Sequence, residues 1–193
     1  AERRGRPPGS RRAERRPRRC RRPRWAGGCN ERGITGSRKS LRLEIDRWNA
    51  LIYPTVNNGV YRAGFATTQD KHEAAVRRLF ETLNIIEEHL GRHRYLCGTQ
   101  LTEADWRLFT TLVRFDAVYY GHFKCNLRRL ADFQNLWDYV RELYQISGIA
   151  ATVDMWHVKE HYYRSHARIN PTGIVPVGPM IDFAAPHGRE ALG

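Results

Sequence analysis

One short stretch constrains this chain more than any other: Leu101-Thr102-Glu103-Ala104-Asp105-Trp106 and the apolar run that follows it to Cys125. Thr102 is a good helix N-cap, because its hydroxyl can accept from a free N–H of the first turn. Asp105 lies three residues on and can reach back to the Thr102 N–H, a capping box with Asp in place of Glu. Leu101 and Trp106 fall where a hydrophobic staple places its two side chains. Asp105 also puts negative charge at the positive end of the helix dipole. Beyond the cap, Leu108, Leu112 and Phe115 step by four and three, with Trp106, Phe109 and Val113 beside them. Apolar surface on so many sides predicts the central helix of a helical domain. Both Thr102 and Asp105 are structural in this reading, and Asp105→Ala should cost on the order of 1 kcal/mol or more in capping.

The charge is unevenly spread. The chain carries +13 overall, but residues 1–39 hold 15 Lys and Arg against 3 acids, leaving 18 basic and 17 acidic residues in 40–193. The first segment is Arg, Gly and Pro with almost no aliphatic side chains, too little apolar area to offset the entropy of ordering it. It is expected to be a disordered basic tail. One reading makes it an arginine-rich arm for nucleic acid or anionic membrane. The other makes it an artefact of a mis-set gene start, since many Arg with almost no Lys is what chance translation of GC-rich DNA produces. No run of about eighteen apolar residues predicts a membrane span. Cys20, Cys29, Cys97 and Cys125 show no paired metal spacing and suit a reducing compartment, hence a cytoplasmic protein.

From Ser40 the pattern is helical. Leu41, Ile45, Trp48 and Ile52 predict a helix to about Tyr53, which Pro54 ends or kinks. Val60 to Phe65 is a turn or short helix. A long helix starts near Thr68 and ends at Gly91. Another spans Asn135 to Tyr144. Gly148 is expected to start one more, through Val153 and Trp156 to His166, closed by Asn170-Pro171-Thr172-Gly173. The remainder reads as an extended tail on the surface. The fold class is all-α, a bundle of five to seven helices.

Tyr95-Leu96-Cys97-Gly98 followed by Leu101-Thr102-Glu103-Ala104-Asp105 resembles the C-terminal helical domain of glutathione transferases. Three further blocks narrow the resemblance to the xi class, the glutathionyl-hydroquinone reductases: Asn57-Asn58-Gly59-Val60-Tyr61-Arg62-Ala63-Gly64-Phe65-Ala66, then Val113-Arg114-Phe115-Asp116-Ala117-Val118-Tyr119 with His122-Phe123-Lys124-Cys125, and His161-Tyr162-Tyr163-Arg164-Ser165-His166 before Ile169-Asn170-Pro171-Thr172-Gly173. It covers about residues 40–190. It implies glutathione as co-substrate, a glutathionyl-hydroquinone as substrate, and a homodimer formed through the helical domain. In this family an N-terminal thioredoxin-like domain binds glutathione and carries a nucleophilic cysteine in a Cys-Pro-Trp-Ala context. Residues 1–39 are too short and too polar for that domain, and neither Cys20 nor Cys29 matches the motif. The expectation is therefore a chain without the thioredoxin-like domain and with little activity alone, so whether it is an enzyme stays open. The alternative is a non-catalytic dimerisation or docking module.

By match to the family's motifs, Tyr61 would be the proton donor, and Tyr119 and Tyr162 would lower the pKa of the nucleophilic thiol. Spacing alone makes each a packed ring with a satisfied hydroxyl. His157, His161 and His166 share one predicted helix, but no carboxylate or Cys completes a metal set, and no metal is expected. Arg114 and Asp116, inside an apolar stretch, could contact substrate, but a buried ion pair with a structural role is the expectation. Cys97 and Cys125 read as small buried hydrophobes.

Overall fold

The structure, a computed structural model, describes residues 38–192, with side chains from residue 41; the basic tail lies outside these. Six α-helices make up the fold among the described residues: α1 (Arg38–Ile52), α2 (Gly59–Gly64), α3 (Gln69–Leu90), α4 (Glu103–Leu112), α5 (Gln134–Gln145) and α6 (Met155–Ser165). No strand forms among them; two isolated antiparallel bridges, Tyr95 with Gly98 and Cys97 with Gln100, shape the loop before α4. The domain is all-α.

Pro54 does not simply break α1. It has no N–H to give to Ala50, so the α ladder fails there, and the chain widens into a π turn over Tyr53–Asn57. The Asn58 N–H donates to the Tyr53 carbonyl, five residues back, at 2.9 Å. A second π turn, Phe115–Tyr119, follows α4, closed by the Tyr120 N–H on the Phe115 carbonyl at 2.9 Å. The apolar period therefore runs on to Phe115 although α4 itself stops at Leu112.

The core is one cluster of buried side chains from α3 (Val76, Leu79, Leu83, Ile86, Leu90), α4 (Leu108, Leu112), the second π turn (Phe115, Val118, Tyr119) and α5 (Leu136, Tyr139, Val140, Leu143), with α3 lying against α2 and α5. Asp105 is completely buried at its centre. Its Oδ2 accepts from the Thr102 N–H at 2.8 Å and the Thr102 hydroxyl at 3.0 Å. Its Oδ1 accepts from the Leu96 N–H and the Tyr139 hydroxyl, both at 2.9 Å. The capping box thus also ties the preceding loop and α5 to α4. Glu87 of α3 does the same for α5, accepting from the Asn135 N–H at 2.9 Å and the Leu136 N–H at 2.7 Å, two of the free donors of a helix start.

Two expectations need correction. The last long helix does not begin at Gly148. Gly148 sits at φ +87°, Ala150–Thr152 forms a 3₁₀ turn, and Val153 and Asp154 are extended. Asp154 then caps a fresh helix, its Oδ1 accepting from the His157 N–H at 2.9 Å. The C-terminal segment is also more than a surface tail. Phe183 is buried between Trp137 and Tyr144, and Arg189 is only 3% exposed. The Arg189 guanidinium donates to Glu142 Oε2 at 3.1 Å and to the carbonyls of Leu90, Asn135, His93 and Arg94. The segment reads as polar and Pro/Gly-rich, but it supplies the cation that closes the open end of α3.

Candidate active site

The three tyrosines come from three separate elements: Tyr61 from α2, Tyr119 from the second π turn, Tyr162 from α6. Their hydroxyls meet. Tyr162 Oη lies 2.6 Å from Tyr61 Oη and 2.9 Å from Tyr119 Oη, so it is the middle link of a three-hydroxyl chain. Phe123 is the floor beneath them, its ring 5.4 Å from Tyr61, 5.5 Å from Tyr119 and 6.0 Å from Tyr162. Gly64 makes room for that floor: a Cβ there would fall 2.3 Å from Phe123 Cγ. The chain of hydroxyls is graded in exposure. Tyr119 is 1% exposed, Tyr162 6% and Tyr61 37%, so the series leads from the interior to the surface.

Tyr61 opens on a cleft of about 490 Å³ whose walls include Tyr53, Asn57, Trp106, Arg107, Arg114 and Tyr119. The Asn57 amide fixes its two sides together, donating to the Arg107 carbonyl at 2.9 Å and to Thr111 Oγ1 at 2.6 Å. Burial pushes the Tyr61 and Tyr119 hydroxyls above the ordinary tyrosine pKa, helped by their bonds to Tyr162. Both are therefore protonated near neutral pH and act as hydrogen-bond donors. Among the described residues the site offers proton donors at a cleft wall and no ionised thiol.

The cysteines agree with that limit. Cys97 and Cys125 are free and buried. Burial raises both thiols, Cys125 to about 12, so neither offers a thiolate near neutral pH. Cys20 and Cys29 lie outside the described residues. No group of three or more His, Cys, Asp or Glu side chains is placed to hold a metal ion among the described residues. His166 instead pairs with His122, Nδ1 to Nε2 at 3.1 Å.

Arg114 and Asp116 are not the ion pair expected of them. The π turn sends them apart. Asp116 accepts from the Leu130 and Ala131 N–H groups at 2.6 and 3.0 Å, capping a 3₁₀ turn, and burial raises its pKa. Arg114 turns into the cleft instead. Burial opposes its charge, but Tyr119 foremost, then Tyr162 and Tyr61, outweigh that and hold its pKa above the usual guanidinium value. Arg114 is the site residue that sequence reasoning assigns elsewhere. Its signal is present, a cation inside an apolar run, but its direction is not.

Against known proteins, residues 69–142 match the model of the glutathione S-transferase C-terminal domain. The chain is 56% identical over 151 residues to glutathionyl-hydroquinone reductase YqjG of Escherichia coli, covering 78% of this chain and 46% of that protein. It is 60% identical over 139 residues to glutathionyl-hydroquinone reductase PcpF of Sphingobium chlorophenolicum, covering 72% and 44%. The fold superposes on the glutathione-bound structure of YqjG with a TM-score of 0.77, over 78% of this chain and 49% of that one. On a xi-class transferase from Natrialba magadii the score is 0.78 at 50% identity, over 79% and 47%. The helical part of this chain is a glutathione S-transferase C-terminal domain. In sequence and fold that domain is similar to the xi-class transferase and to the two proteins named glutathionyl-hydroquinone reductase. The chain spans about half the length of the curated relatives it matches. No helix among the described residues is long and apolar enough to cross a membrane.

Proposed function

We propose that residues 40–193 supply the substrate-pocket domain of a glutathione-dependent glutathionyl-hydroquinone reductase. The observation that carries this reading is the linked hydroxyl chain, 2.6 and 2.9 Å per link, ending at a cleft wall. The reaction needs what this chain of hydroxyls can give. A cysteine thiolate of a thioredoxin-like domain attacks the glutathionyl sulfur and forms a mixed disulfide. The electron pair of the broken carbon–sulfur bond goes to the ring carbon, which must take a proton to leave as hydroquinone. Tyr61, the exposed member, gives that proton. Tyr162 and, behind it, Tyr119 are donors on the side of the sulfur, where hydrogen bonds to a thiolate lower its pKa. A second glutathione thiolate then attacks the mixed disulfide, releasing oxidised glutathione and the enzyme thiolate. Arg114 brings a positive charge to the cleft wall, while Arg107 on the same wall is paired with Glu103 at 2.5 Å. The same reading makes the working protein a homodimer through the helical domain, in a reducing, cytoplasmic compartment that suits free cysteines.

The test is a chimera in which residues 40–193 replace the matching part of the E. coli reductase. Hydroquinone release from a glutathionyl-hydroquinone is expected. Tyr61→Phe in that chimera should lower kcat by about 10²-fold or more, the worth of a positioned acid. A folded chimera without turnover, or undiminished turnover in its Tyr61→Phe variant, overturns the proposal.

A further inference from the structure

A second cavity, of about 510 Å³, is walled by the first π turn, by α2 with the loop after it, and by α3. No residue lines both this cavity and the Tyr61 cleft. Its charge is one-sided. Arg62 of α2 and Lys71 and Arg78 of α3 line it, and no Asp or Glu does. We propose that this cavity is a binding site for an organic anion with an apolar body, separate from the cleft that Tyr61 lines.

Lys71, Ala74, Ala75 and Arg78 stand at i, i+3, i+4 and i+7, one stripe of α3. Its two cations are about 10 Å apart along the helix axis, with two small side chains between them. Arg62 and Lys71 make no side-chain hydrogen bond or ion pair among the described residues. Arg78 reaches only Glu81, 3.4 Å away with both side chains 62% exposed, a pairing that water and salt screen. Of the other acids in this half of α3, Glu73 turns to Gln69 and Arg77, and Asp70 is not part of the wall. Three cations thus share one concavity, and a negative group entering it relieves their repulsion. The rest of the wall is mostly apolar. Phe65 is 48% exposed, yet its ring is held in place, with Phe123 5.4 Å and His166 5.1 Å from it. Pro54, Ala74 and Ala75 continue that surface. Thr55 adds no free donor to it, since its hydroxyl donates to the Leu51 carbonyl at 2.6 Å. An inorganic ion would answer the charge and leave the apolar wall wet. A neutral body would cover the wall and leave the charge unanswered. An organic anion does both.

The experiment is a calorimetric titration of the full chain with 2-naphthoate, a two-ring carboxylate, as the probe. Saturable binding is expected. 2-Naphthamide, the same body without the charge, should bind about tenfold or more weaker. Acetate, the charge without the body, should be weaker by about tenfold or more as well. Arg62→Gln combined with Lys71→Gln changes two exposed side chains and should weaken naphthoate about tenfold or more. Ala74→Trp should abolish binding by filling the cavity. Arg114→Met alters the other cleft and should leave the affinity within about twofold. Binding lost in Arg114→Met but kept in Ala74→Trp would seat naphthoate against Tyr61 and overturn the proposal. So would the amide or acetate binding as tightly as naphthoate, or no saturable binding below about 1 mM. Should Ala74→Trp fail to fold, the Arg62, Lys71 double variant decides, and an unchanged affinity there overturns the site. None of these readouts is a turnover, so a chimera without activity leaves the site standing.

Discussion

Replacing Asp105 tests the fold at its most connected point. Capping alone would make Asp105→Ala cost on the order of 1 kcal/mol. The structure raises that figure, because the carboxylate accepts four hydrogen bonds in a fully buried position. The Thr102 hydroxyl can turn to Cys97 Sγ, which it already approaches at 3.7 Å. The Leu96 N–H, the Thr102 N–H and the Tyr139 hydroxyl have no such substitute. Each buried donor left alone costs about 1–3 kcal/mol, so three cost at least about 3 kcal/mol. Removal of a buried charge returns some of this, and the cavity left by the side chain takes some back. We expect a loss of about 3–5 kcal/mol by urea unfolding with m unchanged. For a chain of this size that is a fall in Tm of roughly 10 °C. Asp105→Asn separates hydrogen bonding from volume. Its amide nitrogen would face either the Thr102 N–H or the Leu96 N–H, donor against donor, so it should be nearly as unstable as Asp105→Ala. A loss under about 1.5 kcal/mol for the Asn variant would refute the reasoning and reduce Asp105 to an ordinary cap.

Three other outcomes follow from the geometry. Gly64→Ala should destabilise by about 1–3 kcal/mol, because Phe123 must move to admit the Cβ; the Tyr61 ¹³Cζ signal should shift with it, since Phe123 is its floor. Burial foremost, with the charges of His166 and Lys124, lowers His122 from 6.5 to about 4. A folded-state pKa below the unfolded one gives stability that is present above about 6.5 and lost as pH falls toward 4, so the urea midpoint of the native chain should drop further over that window than that of His122→Gln; equal slopes would refute it. Arg189→Met should cost about 3 kcal/mol, the usual toll of breaking a buried pair, and should speed proteolysis of the C-terminal segment. Cleavage at the native rate would show that Phe183 alone holds it.

What can be read in the sequence is what is local. The capping box, the 3.6-residue period of α3 and the Gln134–Gln145 helix all depend on residues within a few positions of one another. The misplaced start at Gly148 has the same root: Ile149, Val153 and Trp156 fit a helical period, and that period masks the stronger local signal, Asp154 as a cap. The tyrosine cluster joins positions 43 and 101 residues apart, and no spacing rule reaches that far; it is legible only through the resemblance of the motifs around each residue. Arg189 is invisible for the opposite reason. An arginine in a Pro/Gly-rich segment looks solvated, and only the folded chain reveals that five acceptors converge on it.

The direction of Arg114 belongs to a third kind of information, written in the backbone rather than in the side chains. An α-helix turns about 100° per residue, so a wide turn redirects everything after it. Had α4 continued regularly through Val113, Arg114 and Asp116 would have kept an ordinary α register, and Tyr119 would have been placed by that register too. The π turn Phe115–Tyr119 instead leaves Asp116 to cap Leu130 and Ala131 and brings Tyr119 to Tyr162. The other π turn, set by Pro54, places Asn57 where its amide grips α4. The cleft is thus walled by the two places where the helical ladder fails, each braced against α4 or α6 by side-chain hydrogen bonds. Such turns cost backbone hydrogen bonding and are retained where a regular helix would point a needed group the wrong way. Here the groups so placed are Arg114, on the cleft wall, and Tyr119, whose hydroxyl meets that of Tyr162.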